Sequence, residues 1–142
     1  MNQNNINLPS IDFEMEVPFY DIDPMNIVWH GNYVKYLEKA RCVLLEQFGY
    51  GYLDMKSSGY IWPIVDMRLK YINSASFGQI LVCNASLVEY ENRIKIKYLI
   101  SCKETGKKLT KAYTVQVAVN IENQELQLVS PLILQEKLSE YL

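Results

Sequence analysis

One segment of this chain cannot rest on a protein surface. From Tyr33 to Phe48, the residues Val34, Leu37, Arg41, Leu44, Leu45 and Phe48 recur at steps of three and four, and Tyr33, Tyr36 and Ala40 widen their stripe. Lys35, Glu38, Lys39 and Glu46 fall largely elsewhere. This is the period of an amphipathic helix of about four to five turns, and Gly49 is the residue type that ends one. An apolar stripe this wide needs cover on most sides, so the helix is predicted to lie largely enclosed by a sheet.

The rest of the chain supplies strands. Phe13, Met15, Val17 and Phe19 alternate with Asp12, Glu14, Glu16 and Pro18, which predicts a half-buried strand whose end Pro18 places at an edge or exit. Val65 to Tyr71 alternates, Asn73 to Gly78 breaks the pattern, and Ile80 to Tyr90 is apolar on both faces in its first half, as a central strand would be. A hairpin turn at Glu91-Asn92 leads to Ile94, Ile96, Tyr98 and Ile100. After Glu104-Thr105-Gly106-Lys107, the odd-numbered run from Leu109 to Ile121 is predicted to continue as one strand, with Lys111 as its polar interruption. A helical turn is expected around Leu53 to Lys56, and a short C-terminal helix to about Tyr141, with Ser130 as N-cap and Pro131 at its first position. The predicted class is α+β: an antiparallel sheet of about five strands wrapped around one long central helix, in a single domain spanning 1–142 with a frayed stretch at 1–10.

At 142 residues the chain can bury a substantial core without metal or disulfide help. A net charge of -2 gives no basic footprint for nucleic acid. Cys42, Cys83 and Cys102 are odd in number and widely spaced, which argues against a disulfide framework and against a zinc site, so they read as free thiols in a reducing, cytoplasmic setting. No apolar run reaches the length of a membrane span, and Met1 to Asn7 has neither the basic nor the apolar part of a signal peptide. With one histidine and scattered carboxylates, no metal site is expected.

Chemistry concentrates just before the long helix, in Tyr20-Asp21-Ile22-Asp23-Pro24-Met25-Asn26-Ile27-Val28-Trp29-His30-Gly31-Asn32-Tyr33. Two carboxylates, a proline and an asparagine form a turn, and the helix start beyond them offers unpaired N–H groups and the positive end of a dipole. A carboxylate nearby could attack a carbonyl whose developing oxyanion those N–H groups stabilise. An Asp before Pro is, on its own, a turn former. The pattern Asp21-x-Asp23-Pro24-x-x-Ile27-Val28-Trp29-x-x-Asn32-Tyr33 resembles the signature of the hotdog-fold acyl-CoA thioesterases of the 4-hydroxybenzoyl-CoA thioesterase type, and the likeness extends from roughly Phe13 to Asn120. It departs at Met25-Asn26, where many members have a small residue and then glycine; Asn tolerates a left-handed backbone, so the turn is expected to survive.

The resemblance implies an acyl-CoA thioester hydrolase. Asp23 would be nucleophile or general base, with the backbone N–H groups of His30 and Gly31 as oxyanion donors and Asp21 as a structural orienter of the loop. Ile27, Trp29 and Tyr33 would line the substrate site. Arg93, Lys95 and Lys97 line one face of a strand, with Lys70 nearby, and read either as a solvated face or as contacts to the phosphates of coenzyme A. Coenzyme A would enter as part of the substrate, no cofactor is expected, and acyl carrier protein could present the same thioester. Sites resembling this one are completed between subunits, so a homodimer or homotetramer is expected, with open sheet edges as the physical motive. Two other readings stay open: a non-catalytic acyl-CoA or lipid-binding module, and an enoyl-CoA hydratase, for which the surroundings of His30 are a poor match.

Overall fold

The structure, a computed structural model, describes residues 7–142. Strand β1 (Ser10–Glu16) shows the expected period of two, with Ile11, Phe13 and Met15 half-buried and Ser10, Asp12, Glu14 and Glu16 exposed. It begins earlier and ends earlier than its sequence suggests. Pro18 lacks the N–H a ladder needs, and Phe19 turns out into a 3-10 turn (Phe19–Asp21), where it is 74% exposed. Of the stretch expected to fray, residues 1–6 lie outside the described residues. Leu8 is buried, and the Pro9 carbonyl accepts the Leu87 N–H.

Helix α1 (Tyr33–Gln47) is the long central helix, and a 3-10 turn (His30–Asn32) runs directly into it. Its buried residues are Tyr33, Tyr36, Leu37, Ala40, Leu44 and Leu45, the face that its periodicity selects. A short α2 (Tyr52–Ser57) and β2 (Tyr60–Ile61) follow, then β3 (Ile64–Tyr71), β4 (Ile80–Glu89), β5 (Ile94–Cys102) and β6 (Lys108–Gln116). These strands form an antiparallel sheet with β1 in the order β1-β4-β5-β6-β3, and α1 packs across β1 and β4. One row of the helix-facing side runs Ile11, Ala85, Tyr98, Ala112 and Leu69 across all five strands. Each large aliphatic side chain buried there contributes roughly 1.5–3 kcal/mol of transfer free energy. The result is the hotdog arrangement, with β1 and β3 as its two open edges.

Two predicted elements come out differently. The run from Leu109 to Ile121 is not one strand: β6 stops at Gln116, and β7 (Val119–Asn120) pairs instead with β2 in a separate two-stranded ribbon. The buried Gln116 donates its side-chain amide to the Trp62 carbonyl at 2.8 Å, which ties the chain to the segment following β2. Alternation persists through any extended chain, so period alone cannot tell which sheet receives it. The C-terminal helix α3 (Leu132–Lys137) starts one residue later than expected, because Pro131 keeps an extended ψ of 147° and serves as N-cap itself. Leu134 and Leu138 still bury completely.

Candidate active site

The loop between the two 3-10 turns is built from the turn chemistry of its own residues. Asp23 donates its N–H to the Ile27 carbonyl (2.8 Å), accepts the Asn26 N–H on its carbonyl (3.0 Å), and takes the Met25 N–H on carboxylate Oδ1 (2.8 Å). Asn26 adopts a φ of 67°, the left-handed conformation that the departure from glycine demands. Replacing Asn26 with valine is expected to destabilise the fold by about 1–2 kcal/mol, whereas Asn26→Gly stays close to neutral; urea midpoints check both. Val28, 3% exposed, anchors the far side of the loop by donating its N–H to the Ala75 carbonyl at 2.9 Å.

Asp21 lies beneath this loop and is 4% exposed. Its Oδ2 accepts the Tyr36 hydroxyl at 2.7 Å and its Oδ1 meets Lys35 Nζ at 3.2 Å. Its carbonyl accepts the Trp29 N–H (3.0 Å) and the Asn32 side-chain amide (2.9 Å). Asp21 therefore ties the loop to the first turn of α1, the orienting role expected of it. Burial, then the adjacent Asp21 carboxylate, push the Tyr36 hydroxyl far above its ordinary range, so it remains a donor.

At the head of the helix, Asn32 donates its N–H back to the Trp29 carbonyl at 2.9 Å, closing the 3-10 turn. The N–H groups of His30 and Gly31 precede the first bond of that turn and have no backbone acceptor among the described residues. His30 lines a cleft of about 400 Å³ whose walls also include Asp23, Ile27, Tyr33, Tyr71 and Ser74. The second oxygen of Asp23 has no hydrogen-bond partner among the described residues. Tyr33 is 3% exposed and accepts the Ala75 N–H at 3.2 Å; burial, as the main cause, raises the pKa of its hydroxyl, which stays protonated.

The fold thus brings Asp23, Ile27, His30 and Tyr33 to one cleft. Gly31 and Trp29 stand beside it: the indole lies over Gly31, where an added Cβ would run into the ring. Tyr71 was not legible as a site residue, yet its hydroxyl donates to the His30 carbonyl at 2.9 Å and its ring stands 5.5 Å from that of Tyr33. Its place at the inward end of β3 was the available signal. None of Lys70, Arg93 and Lys95 lines the cleft, although Lys70 adjoins Tyr71, which does. Arg93 donates to Glu89 at 2.6 Å, and Lys95 Nζ sits 4.7 Å from the centre of the Tyr113 ring. The Arg93 hydrogen bond holds the Glu89 carboxyl below its ordinary value. Its contribution is present above the unfolded carboxyl pKa and is lost as pH falls through the lowered folded one. Because both side chains are over a third exposed, Arg93→Ala is expected to change stability by less than about 1 kcal/mol, read from denaturation at neutral pH.

Among the described residues, no cluster of three or more His, Cys, Asp or Glu could hold a metal ion, and no helix is long and apolar enough to cross a membrane. The sequence profile of the Thioesterase-like superfamily matches residues 17–137, and the chain belongs to that family. Over 85 residues it is 33% identical to "Putative acyl-CoA thioesterase YneP" of Bacillus subtilis (strain 168), a match spanning 60% of this chain and 61% of that protein's length. Its fold is that of Slr0204, a 1,4-dihydroxy-2-naphthoyl-CoA thioesterase from Synechocystis, at a TM-score of 0.81 and 20% identity over 92% of this chain and 96% of that one. A 4-hydroxybenzoyl CoA thioesterase mutant complexed with 4-hydroxybenzoyl CoA aligns with a TM-score of 0.79 and 20% identity, over 92% of this chain and 99% of that one.

Proposed function

We infer that this protein hydrolyses acyl-CoA thioesters. The observation that carries the reading is the shared cleft: a carboxylate with one uncommitted oxygen, Asp23, faces the same space as His30, which heads the long helix with unpaired amides beside it. In this reading the thioester carbonyl sits with its oxygen toward the His30 and Gly31 N–H groups. Either Asp23 attacks the carbonyl carbon, forming an acyl anhydride and expelling the coenzyme A thiolate, or it takes a proton from a water that attacks instead. Each amide donor would contribute about 3 kcal/mol of transition-state stabilisation. Ile27 and Tyr33 would hold the acyl side of the substrate, and the Trp29 indole would cover the helix head.

Membership of the thioesterase-like family supports this chemistry. An acyl carrier protein thioester could enter the same way, because the pantetheine arm is shared. Pairing of copies along an open sheet edge, to a homodimer or homotetramer, would satisfy the unpaired ladder groups of β1 or β3. The test is a thiol-release screen across short, long and aromatic acyl-CoAs with purified protein. Release from at least one supports hydrolysis. Tight thioester binding without release would make this a binding module, and loss of an enoyl-CoA's conjugated double bond would make it a hydratase.

A further inference from the structure

The Tyr71 hydroxyl makes a contact that ring packing does not explain. Tyr71 closes β3, and the chain is pinned directly behind it. The N–H groups of Ile72 and Asn73 both donate to the Leu109 carbonyl, at 2.8 and 3.0 Å, and the Asn73 side-chain amide donates to the Lys108 carbonyl at 2.8 Å. The Tyr71 ring lies at 60° to that of Tyr33, 5.5 Å between centres, and Tyr33 is itself 3% exposed. It also stands nearly edge-on to the His30 ring, with 6.2 Å between centres and 79° between planes. Phenylalanine would pack on Tyr33 and His30 equally well. The hydroxyl goes instead to a backbone atom, the His30 carbonyl oxygen, at 2.9 Å.

That oxygen belongs to the same peptide unit as the Gly31 N–H, one of the two amides at the helix head without a backbone acceptor among the described residues. The unit is trans, so its carbonyl and N–H point in opposite directions. A donor seated on the oxygen therefore fixes the peptide plane and leaves the N–H facing the N-terminal end of the turn. Donation to a carbonyl oxygen also draws electron density from the amide nitrogen, which makes its hydrogen a stronger donor. The companion amide is prepared in the same manner: the His30 N–H shares its peptide unit with the Trp29 carbonyl, which accepts the Asn32 N–H at 2.9 Å. One donor unit is thus polarised by backbone, and the other by a side chain 41 residues away in sequence. We propose that Tyr71 is a positioning residue for thioester hydrolysis, whose hydroxyl orients and polarises the His30–Gly31 peptide so that the Gly31 N–H stabilises the oxyanion. This role rests on the thioesterase reading and adds to it a side chain that acts only through the backbone. Negative charge grows on the carbonyl oxygen as the tetrahedral intermediate forms, so the effect falls on kcat rather than on substrate binding.

The test compares the wild type with Tyr71→Phe and with proteins carrying monofluorinated or difluorinated tyrosine in place of Tyr71, assayed where those phenols remain protonated. Tyr71 is 48% exposed and phenylalanine keeps the ring, so Tyr71→Phe should leave the denaturation midpoint close to unchanged. Its kcat for acyl-CoA should fall about three- to fivefold, with KM held within about twofold. The fluorinated rings keep the hydroxyl and strengthen it as a donor, so kcat should rise with each fluorine. A second readout needs no turnover. The stretching frequency of an isotope-labelled thioester carbonyl bound to the Asp23→Asn protein should move up when Tyr71→Phe is added and down with each fluorine. A kcat and a carbonyl frequency that are the same with all four side chains would overturn the assignment. So would a kcat that falls in Tyr71→Phe but ignores the fluorines, the mark of a hydroxyl that only braces the loop. If the wild type binds thioesters and cleaves none, the thioesterase reading fails while the carbonyl frequency still decides whether Tyr71 acts on the bound carbonyl; a protein that binds none would overturn both.

Discussion

Changing Asp23 to asparagine is expected to lower kcat about a thousandfold on every acyl-CoA the protein accepts, the scale associated with loss of a positioned base or nucleophile. The substitution is nearly isosteric, and the new Oδ1 can still accept the Met25 N–H that the carboxylate holds at 2.8 Å. The turn should therefore persist, and the urea midpoint should move by less than about 0.5 kcal/mol equivalent. Steady-state thiol release measured beside chemical denaturation separates the two effects. A variant with wild-type turnover would remove Asp23 from the chemistry. Single-turnover hydrolysis in isotopically labelled water, read together with rapid-quench protein mass, tests the covalent route: label appearing in the Asp23 carboxylate, or a transient protein mass increase equal to the acyl group, marks the anhydride.

Tyr36→Phe should produce the converse pattern. The hydroxyl is buried with its residue 2% exposed, and it supplies the buried donor to Asp21 Oδ2 at 2.7 Å. Lys35, on the other oxygen, is 57% exposed and its attraction is correspondingly screened. Deleting the hydroxyl leaves a carboxylate that is 4% exposed without that donor, a loss of about 2–3 kcal/mol by the usual scale for hydrogen bonds to charged groups. Because Asp21 also fixes Trp29 and Asn32 through its carbonyl, the loop presenting Asp23 should loosen, and kcat should fall along with stability. Asp23→Asn separates activity from stability; Tyr36→Phe moves them together. A Tyr36→Phe protein with an unchanged denaturation midpoint would show that the Tyr36–Asp21 bond does not hold the loop.

The helix from Tyr33 and the strands β3 and β5 were legible because each is long and keeps a single period, with its solvent face marked by charge; β4 was legible as an apolar run of central-strand length. The turn at Asn26 was legible too, since few non-glycine residues tolerate its backbone. What escaped the sequence was relational. Nothing local indicates that Tyr36, fifteen residues beyond Asp21, spends its hydroxyl there. Tyr71 and Ser74 join Asp23 only through the packing of the segment after β3 against Val28 and Tyr33. The end of β6 was invisible for the same reason, because Gln116 is redirected by a carbonyl at Trp62, 54 positions away. Lys70, Arg93 and Lys95 read alike in the sequence; Glu89 and the Tyr113 ring separate them.

The placement of the indole over Gly31 also gives this molecule an optical probe of its own. The chain has two tryptophans. Trp62 is 6% exposed with its Nε1 donating to the Tyr50 hydroxyl, whereas Trp29 is 50% exposed and its ring centre lies 5.1 Å from that of His30 on the cleft wall. Iodide in solution can therefore collide with one fluorophore and is kept from the other, and a thioester settling at the helix head would shield the first from the quencher. Ligand entry becomes readable from intrinsic emission, without a label and without turnover.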